Sequence, residues 1–316
     1  MNLQIIVKSL IALTLFAVLF SLVNWEEFRF TISNARFEFL LAILALWPLS
    51  IFLSSIKWNR LLQGYKINER FGNTLLLYWI GSFFNNFLPS SVGGDSYKFL
   101  VLNNFWPGRK AAIASSMILE RVIGIFVILP FPLILGFFFL GTNKNFDLIY
   151  WTYFFATIML AVFMFFIWFI IHRYGFHFFS KTKFIIIQKI GLFIQTLFSY
   201  QDRNGIILAI FISILFFIVS SFAYHLCFMA FGQNISIVQV MTFLPIISVA
   251  SAAPISINGL GVQEGLSVFL FSMFGVSLEV ALAVALTSRV LLIIATSTGG
   301  IAYLFVRPAK IPGDQR

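Results

Sequence analysis

The sequence predicts an all-α polytopic membrane protein, a single integral membrane domain over residues 1–316. Of the 316 residues, 60% are hydrophobic and 10% are charged, and the mean hydropathy is +0.97. Soluble domains are about half apolar and about a quarter charged, so this composition cannot cover a water-facing surface with polar groups. A membrane helix takes about 20 residues, which leaves no room for a soluble domain of normal size. The composition therefore excludes most cytosolic enzymes.

Six apolar runs are long enough to cross a hydrocarbon layer about 30 Å thick. No cleavage pattern of small residues precedes the acidic Trp25-Glu26-Glu27, so the first run is predicted to be a retained span and not a cleaved signal. The predicted spans are residues 5–23, 38–56, 113–141, 149–171, 206–230 and 280–304.

Two further apolar regions, 74–102 and 238–275, are interrupted in the middle by Pro, Gly and polar residues. Their halves are too short to span the membrane singly. Each region is predicted to form a re-entrant hairpin of two half-helices that enters and leaves on one side. Together with the six spans, this gives eight membrane segments.

Basic residues predict the orientation. If the N-terminus is inside and neither hairpin crosses, the cytoplasmic segments contain 15 Lys and Arg residues, Lys57 among them, and the outer segments contain only Arg29, Arg36 and Lys144. This bias follows the positive-inside rule and predicts that both termini are cytoplasmic, with a bacterial inner membrane as the expected location. It also accounts for the net charge of +10 through anionic lipid, with no nucleic-acid partner.

Residues 172–205 alternate apolar and polar side chains at helical spacing, which predicts a cytoplasmic interfacial helix that links two halves of the protein. In each half, a proline in the interrupted region is followed by glycines and an acid, and the next span contains an arginine. Asp95 precedes Arg121 by 26 residues, and Glu264 precedes Arg289 by 25.

Three crossings per half is an odd number, so the second half must enter the membrane in the opposite orientation. We therefore predict a first inverted repeat over residues 1–141 and a second over 142–171 and 206–305. Many secondary transporters are built in this way.

Charged side chains inside the predicted membrane segments are the candidate site, because a charge at a helix centre costs about 2.5–3.5 kcal/mol on translocon scales. Two interpretations of Arg121 and Arg289 are open. They form structural ion pairs with Asp95 or Glu264, or they line a wet cavity and bind an anionic group. The two are compatible, since a phosphate can compete with a carboxylate for an arginine. Glu120 and Lys98 are further candidates.

Glycines beside the two breaks offer a second set of donors. Gly93-Gly94 precedes one half-helix, and Gly259 and Gly261 precede the other. Unpaired N–H groups at a helix N-terminus suit a phosphate, although a glycine also simply permits a tight reversal. The neighbouring asparagines are more typical of residues that satisfy freed backbone groups; they are Asn85, Asn86 and Asn258.

These motifs resemble the flippase-like family named for the transmembrane region of lysylphosphatidylglycerol synthase. The resemblance covers residues 5–305 and rests on Asn86-x-x-Pro89, Gly93-Gly94-Asp95 with Lys98, Glu120-Arg121, Pro254 with Gly259-x-Gly261-Val262-x-Glu264, and Arg289. It implies eight membrane segments with re-entrant helices, and movement of a modified phospholipid between leaflets.

Two features depart from the family pattern. No aminoacyl-transfer domain is present in the chain, so we expect that it does not make the lysyl-lipid itself. Asp95 and Lys98 stand where the family more often has Glu and Arg. Both changes keep the charge, but Lys loses the bidentate phosphate geometry of Arg.

The leading hypothesis is a lipid translocase for an anionic phospholipid or a polyprenyl-phosphate-linked lipid. Arg121 and Arg289 bind the phosphate with Lys98 and the glycines, while Asp95 and Glu264 pair with the arginines in the empty site. No cofactor and no metal are expected, since neither a nucleotide motif nor metal-ligand spacing of His and Cys occurs.

Two alternatives stay open. One is an intramembrane transferase with a polyprenyl-phosphate-sugar donor, which needs Asp95, Glu120 or Glu264 as a general base. The other is an accessory partner of a separate lipid-modifying enzyme of the cell envelope. A transporter is favoured over an enzyme, because the sequence has neither a metal-binding cluster of acids nor a sizeable domain for the sugar donor.

Overall fold

The computed structural model describes residues 3–87, 93–174, 196, 199–253 and 255–306, and these residues are helical with short connections and no strand. The first seven helices are α1 (Leu3–Leu22), α2 (Trp25–Ser33), α3 (Phe37–Gly64), α4 (Phe71–Phe87), α5 (Gly93–Phe105), α6 (Lys110–Ile128) and α7 (Pro130–Gly136). They are followed by α8 (Lys144–Tyr174), α9 (Arg203–Ala230), α10 (Ile237–Ala252), α11 (Val262–Ser272) and α12 (Leu278–Phe305). Short 3₁₀ turns lie at Phe137–Phe139 and Ile257–Gly259. The predicted all-α class is confirmed.

Five helical segments among the described residues are long and apolar enough to cross a membrane. They are Phe37–Gly64, Lys110–Phe139, Lys144–Val162, Arg203–Ala230 and Leu278–Phe305. They correspond to five of the six predicted spans, and the remaining one, residues 5–23, overlaps α1. The structure thus has several apolar helices of membrane-spanning length, as predicted.

The helix α2 was not predicted from the sequence. The side chain of Asn24 caps it by accepting from the backbone N–H groups of Glu26 and Glu27, and α1 and α2 meet at 93°. Because α2 has only nine residues, three of which are charged, it gives no hydropathy signal.

The position of Lys57 differs from the one predicted. The residue was counted among the basic residues of a cytoplasmic loop, but α3 continues to Gly64 and Lys57 is buried within the helix, 8% exposed. Removing it from the cytoplasmic set leaves the strong bias of basic residues in place, since the outer set stays at three.

Both interrupted regions consist of two helices. In the first, α4 has 17 residues and α5 has 13; in the second, α10 has 16 and α11 has 11. Each is shorter than the roughly 20 residues that a span requires. The break between helices is thus present in both regions, while their re-entrant path stays a prediction. Pro89 and Pro254, and most of the predicted interfacial helix over 172–205, lie outside the described residues.

Helix packing centres on α3 and α9, which form the most extensive contact. Around this pair, α4 packs against α12 and α10 packs against α7; α6 also contacts α9, and α3 contacts α12. In the most apolar stretch of α12, 44% of the residues are buried, against 11% in that of α8. Protein therefore surrounds α12 more than α8, which presents most of its surface to the surroundings.

Two apolar cores flank the interrupted regions. One is aromatic and packs Phe146, Phe228, Phe243 and Phe271 from α8, α9, α10 and α11. The other surrounds Trp58 and joins α3 to α4, α5 and α6. The polar groups described below lie beside these two cores.

Candidate functional site

Asp95, in the first turn of α5, is shared by two cations. Its Oδ2 accepts a hydrogen bond from Arg121 Nε on α6 at 2.7 Å, and its Oδ1 lies 2.8 Å from Lys98 Nζ. Lys98 is three residues later on α5, so both side chains lie on one face of the helix. The Asp95 and Lys98 side chains are 13% and 5% exposed, whereas that of Arg121 is 48% exposed. Arg121 is therefore the exposed member of a group whose other two side chains are enclosed.

Aromatic rings hold the Lys98 ammonium. Its Nζ lies 4.2 Å from the centre of the Tyr78 ring and 4.8 Å from that of Trp58. A desolvated cation over such rings gains about 2 kcal/mol or more. This contribution offsets part of the cost of removing Lys98 from water.

Glu120 precedes Arg121 in sequence but points into the protein, 5% exposed. Its Oε1 accepts from the hydroxyl of Tyr78 at 2.8 Å and lies 3.7 Å from Lys57 Nζ. Lys57 also donates to Ser213 Oγ on α9 at 3.4 Å. These contacts connect α3, α4, α5, α6 and α9. We call this set the first ionic network; it comprises Lys57, Tyr78, Asp95, Lys98, Glu120 and Arg121.

A second ionic network surrounds Arg289 on α12 and is closed. Its Nε forms an ion pair with Glu264, which is fully buried on α11. The guanidinium also donates to Gln263 Oε1 at 2.9 Å and to the backbone carbonyl of Asn258 at 3.4 Å. With three acceptors and a side chain 10% exposed, Arg289 is anchored to the second interrupted region.

Two glycines predicted as phosphate donors have side-chain acceptors. Gly94 N donates to Asn85 Oδ1 at 2.8 Å, and Gly261 N donates to Glu264 Oε2 at 2.8 Å. The glycine at 261 has φ +80°, in the left-handed region. A Cβ on Gly94 would overlap the carbonyl group of Gly81 on α4. Chain geometry alone thus requires these two glycines. Gly93 is buried at the start of α5, and Gly259 has φ +69°.

The asparagines join the two interrupted regions. Asn258 Nδ2 donates to Asn86 Oδ1 at 3.1 Å, across 172 residues of sequence. Asn86 Nδ2 in turn donates to Thr296 Oγ1 on α12 at 3.0 Å. Asn258 has φ 51°, a conformation that Asn tolerates better than most residues. The sequence predicts that these asparagines satisfy freed backbone groups. Asn85 accepts from one, the N–H of Gly94, but the bond between Asn86 and Asn258 was not expected.

The structure thus divides the predicted site residues into two groups. Asp95, Lys98, Glu120 and Arg121 come together in one, and Glu264 and Arg289 in the other. Sequence reasoning missed Lys57, because it lies near a charge-rich connection, and Tyr78, because a tyrosine in an apolar run carries no charge signal. Among the described residues, no group of three His, Cys, Asp or Glu side chains could hold a metal ion.

Two cavities are lined by sequence neighbours of network residues, Gly265 in one and Val122 in the other, and by none of the charged residues themselves. One, about 540 Å³, lies between α1, α11 and the start of α8 and is lined by residues that include Leu19, Asn143, Gly265 and Phe269. The other, about 470 Å³, is an apolar groove between α6, α7 and α9.

Comparison with known proteins gives a consistent picture. The UPF0104 membrane protein MJ1595 of Methanocaldococcus jannaschii is 24% identical over 292 residues, covering 87% of this chain and 86% of that protein. The UPF0104 membrane protein PH1989 of Pyrococcus horikoshii is 23% identical over 127 residues, covering 40% and 38%. No solved structure matches. The model of the lysylphosphatidylglycerol synthase TM region matches residues 5–300, and the chain therefore belongs to this family.

Proposed function

We propose that the protein is a lipid translocase of the cytoplasmic membrane. It moves an anionic phospholipid or a polyprenyl-phosphate-linked lipid between leaflets, and it binds the phosphate of the headgroup at Arg121, while Lys98 stays paired with Asp95 behind it. Membership of the lysylphosphatidylglycerol synthase TM region family supports a role that involves lipids. The geometry of the two ionic networks supports Arg121, and not Arg289, as the phosphate site.

The half-exposed guanidinium of Arg121 carries the proposal. It faces outward, 48% exposed, from a network whose other charged side chains are almost fully enclosed. A phosphate that approaches Arg121 can replace its contact with Asp95 by a charge-assisted hydrogen bond of similar strength. Asp95 then keeps Lys98 as its partner, so no carboxylate is left without a cation.

Arg289 has a different role in this proposal. A phosphate at Arg289 would have to displace a fully buried carboxylate and two further acceptors. Glu264 would then remain in the interior without a counter-charge, which costs about 3–5 kcal/mol when a buried pair is broken. We therefore assign Arg289 the structural interpretation, in which it holds the second interrupted region in place.

The helix contacts support alternating access as the mode of transport. If α3, α4 and α6–α7 correspond to α9, α10 and α12, then each half places its interrupted region against the last span of the other half, as α4 on α12 and α10 on α7. Repeats related by a two-fold axis give such exchanged contacts. The proposal includes re-entrant hairpins, cytoplasmic termini and no nucleotide, so transport is facilitated or driven by a gradient.

Reconstituted protein tests the proposal. Fluorescent phosphatidylglycerol and a polyprenyl-phosphate analogue are followed between leaflets of proteoliposomes, with wild-type protein, Arg121→Ala and Arg29→Ala. Arg29 is an exposed arginine on α2 outside both networks, so it is the matched control. We expect faster exchange with wild type and Arg29→Ala than in empty vesicles, and a loss of about tenfold or more with Arg121→Ala. Wild-type exchange by folded Arg121→Ala would refute the phosphate site, and product formation by the protein in detergent would favour a transferase.

A further inference from the structure

The first ionic network contains more positive than negative charge. Its ion pairs join three cations, Lys57, Lys98 and Arg121, to two carboxylates, Asp95 and Glu120. The second network pairs one cation, Arg289, with one carboxylate, Glu264. Among the described residues that these contacts connect, the first network therefore has an excess charge of +1, whereas the second is neutral.

Four of the five charged side chains in this network are poorly solvated, and only Arg121, 48% exposed, meets the surroundings. Lys57 is 8% exposed, Lys98 4% and Glu120 5%. The aromatic rings and the hydroxyl groups around these side chains lower the cost of burial, but they carry no net charge and cannot neutralise the excess. In a medium of low dielectric constant, the preferred ligand is the one whose charge cancels the excess.

Phosphate esters differ in the negative charge that they would bring to the network. A phosphodiester carries one negative charge, and its binding brings the network to zero. A phosphomonoester carries about −1.5 to −2 at neutral pH, since its second pKa is about 6, and its binding leaves the enclosed network with excess negative charge. The two kinds of headgroup offer similar oxygen atoms to Arg121, so net charge is what distinguishes them.

We propose that the first ionic network selects lipids whose headgroup phosphate is a diester over lipids that end in a phosphomonoester. This inference rests on the proposed phosphate site at Arg121 and names the substrate class of that site. Lys57 and Glu120 set the charge of the network without touching the lipid. They are positioning residues whose effect reaches Arg121 through Tyr78, Lys98 and Asp95.

Charge-changing variants give a direct test. Glu120→Gln raises the excess charge from +1 to +2 and keeps an oxygen to accept from the Tyr78 hydroxyl. Lys57→Met lowers the excess to zero. The double variant restores +1 with neither original charge present. Arg29→Gln removes a positive charge from exposed α2 and is the matched control.

The readout is binding, so that it does not depend on transport. Native mass spectrometry of the detergent-solubilised protein compares phosphatidylmethanol with phosphatidic acid, two lipids with the same chains and a diester or a monoester phosphate. We expect wild type, Arg29→Gln and the double variant to prefer the diester by about tenfold. Glu120→Gln should lose this preference or reverse it, and Lys57→Met should bind both lipids more weakly.

A pH series needs no variant and covers the case in which Lys57→Met does not fold. At about pH 5 the monoester carries a single charge, so wild type should bind the two lipids alike, and the preference should emerge as the pH rises through about 6. A wild-type preference for the monoester, or an unchanged ratio in folded Glu120→Gln, would overturn the inference. Diester-selective binding without lipid exchange in vesicles would uphold the selectivity and refute the translocase.

Discussion

Arg121 and Arg289 are the same residue type in equivalent sequence positions, yet their surroundings differ. Arg121 shares Asp95 with Lys98 and keeps half of its side chain exposed, whereas Arg289 is enclosed with a carboxylate that has no exposed surface. Solvent and neighbouring side chains can adapt around the first arginine but not around the second. Loss of the arginine should therefore have unequal effects at the two sites.

Arg289→Ala should lower stability far more than Arg121→Ala. The first change leaves Glu264 fully buried without a counter-charge, at a cost of about 3–5 kcal/mol. The second leaves Asp95 paired with Lys98 and should cost less. Thermal unfolding of both variants in the same detergent measures the difference. Equal shifts in Tm would contradict the structural role assigned to Arg289.

Gly94 gives a second prediction at the scale of one residue. An added Cβ at Gly94 would meet the Gly81 carbonyl, whereas at Gly72, also on a helix, it would meet nothing within 4 Å. Gly94→Ala should destabilise the protein by about 1–3 kcal/mol through overpacking. Gly72→Ala should be neutral or slightly stabilising, because Ala favours a helix by up to about 1 kcal/mol. Equal thermal stability of the two variants would show that α4 and α5 can separate here.

The two ion pairs show which properties of single residues can be predicted from the sequence. The matched spacing of Asp95 to Arg121 and of Glu264 to Arg289 predicted both pairs as one of two interpretations, and the structure contains both. Sequence alone could not distinguish an exposed arginine from an enclosed one, because burial depends on packing between distant helices. The same limit hid Lys57, whose partners come from α6 and α9.

At the scale of elements, the positions of the two breaks were predictable, since Pro and Gly interrupt helices by known mechanisms. The amide bridge between the breaks was not, because its partners are 172 residues apart. The helix α2 was also missed, since a nine-residue helix perpendicular to a span is invisible to a hydropathy window of membrane length.

The bridge between Asn86 and Asn258 can be measured by a double-mutant cycle. Single replacement by Ala leaves a polar group without its partner and should cost about 1–3 kcal/mol. If the contact is direct, the double variant should lose less than the sum of the two singles, with a coupling energy of about 0.5–3 kcal/mol. Chemical or thermal unfolding in detergent gives the energies. Asn34→Ala on the exposed end of α2 is the control, and additive effects of Asn86 and Asn258 would contradict the bridge.

For the whole molecule, composition alone predicted the class, because no soluble fold accommodates 60% hydrophobic residues. The path of the first interrupted region through the membrane is testable by labelling. The only cysteine, Cys227, is buried, so Cys227→Ser is a suitable background. Asn68 and Arg109 are exposed positions before α4 and after α5.

Asn68→Cys and Arg109→Cys should react with an impermeant maleimide from the same, cytoplasmic side. A re-entrant hairpin returns to the side from which it enters, and the positive-inside rule assigns that side to the cytoplasm. Intact cells and inside-out vesicles provide the two directions of access. Labelling of the two positions from opposite sides would mean that α4 and α5 together cross the bilayer, and the predicted inverted repeat would then fail.

The helix α12 holds both interrupted regions at once. Arg289 binds the second region, and Thr296, seven residues later, accepts from Asn86 of the first. Two turns of helix separate these points by about 10 Å, too short a distance for an α-helix to flex appreciably. Because Asn258 also donates to Asn86, α12 and the two breaks form one closed ring of contacts. A tilt of α12 would therefore carry both breaks along together, and the two regions can move apart only if the amide bridge or one attachment to α12 opens.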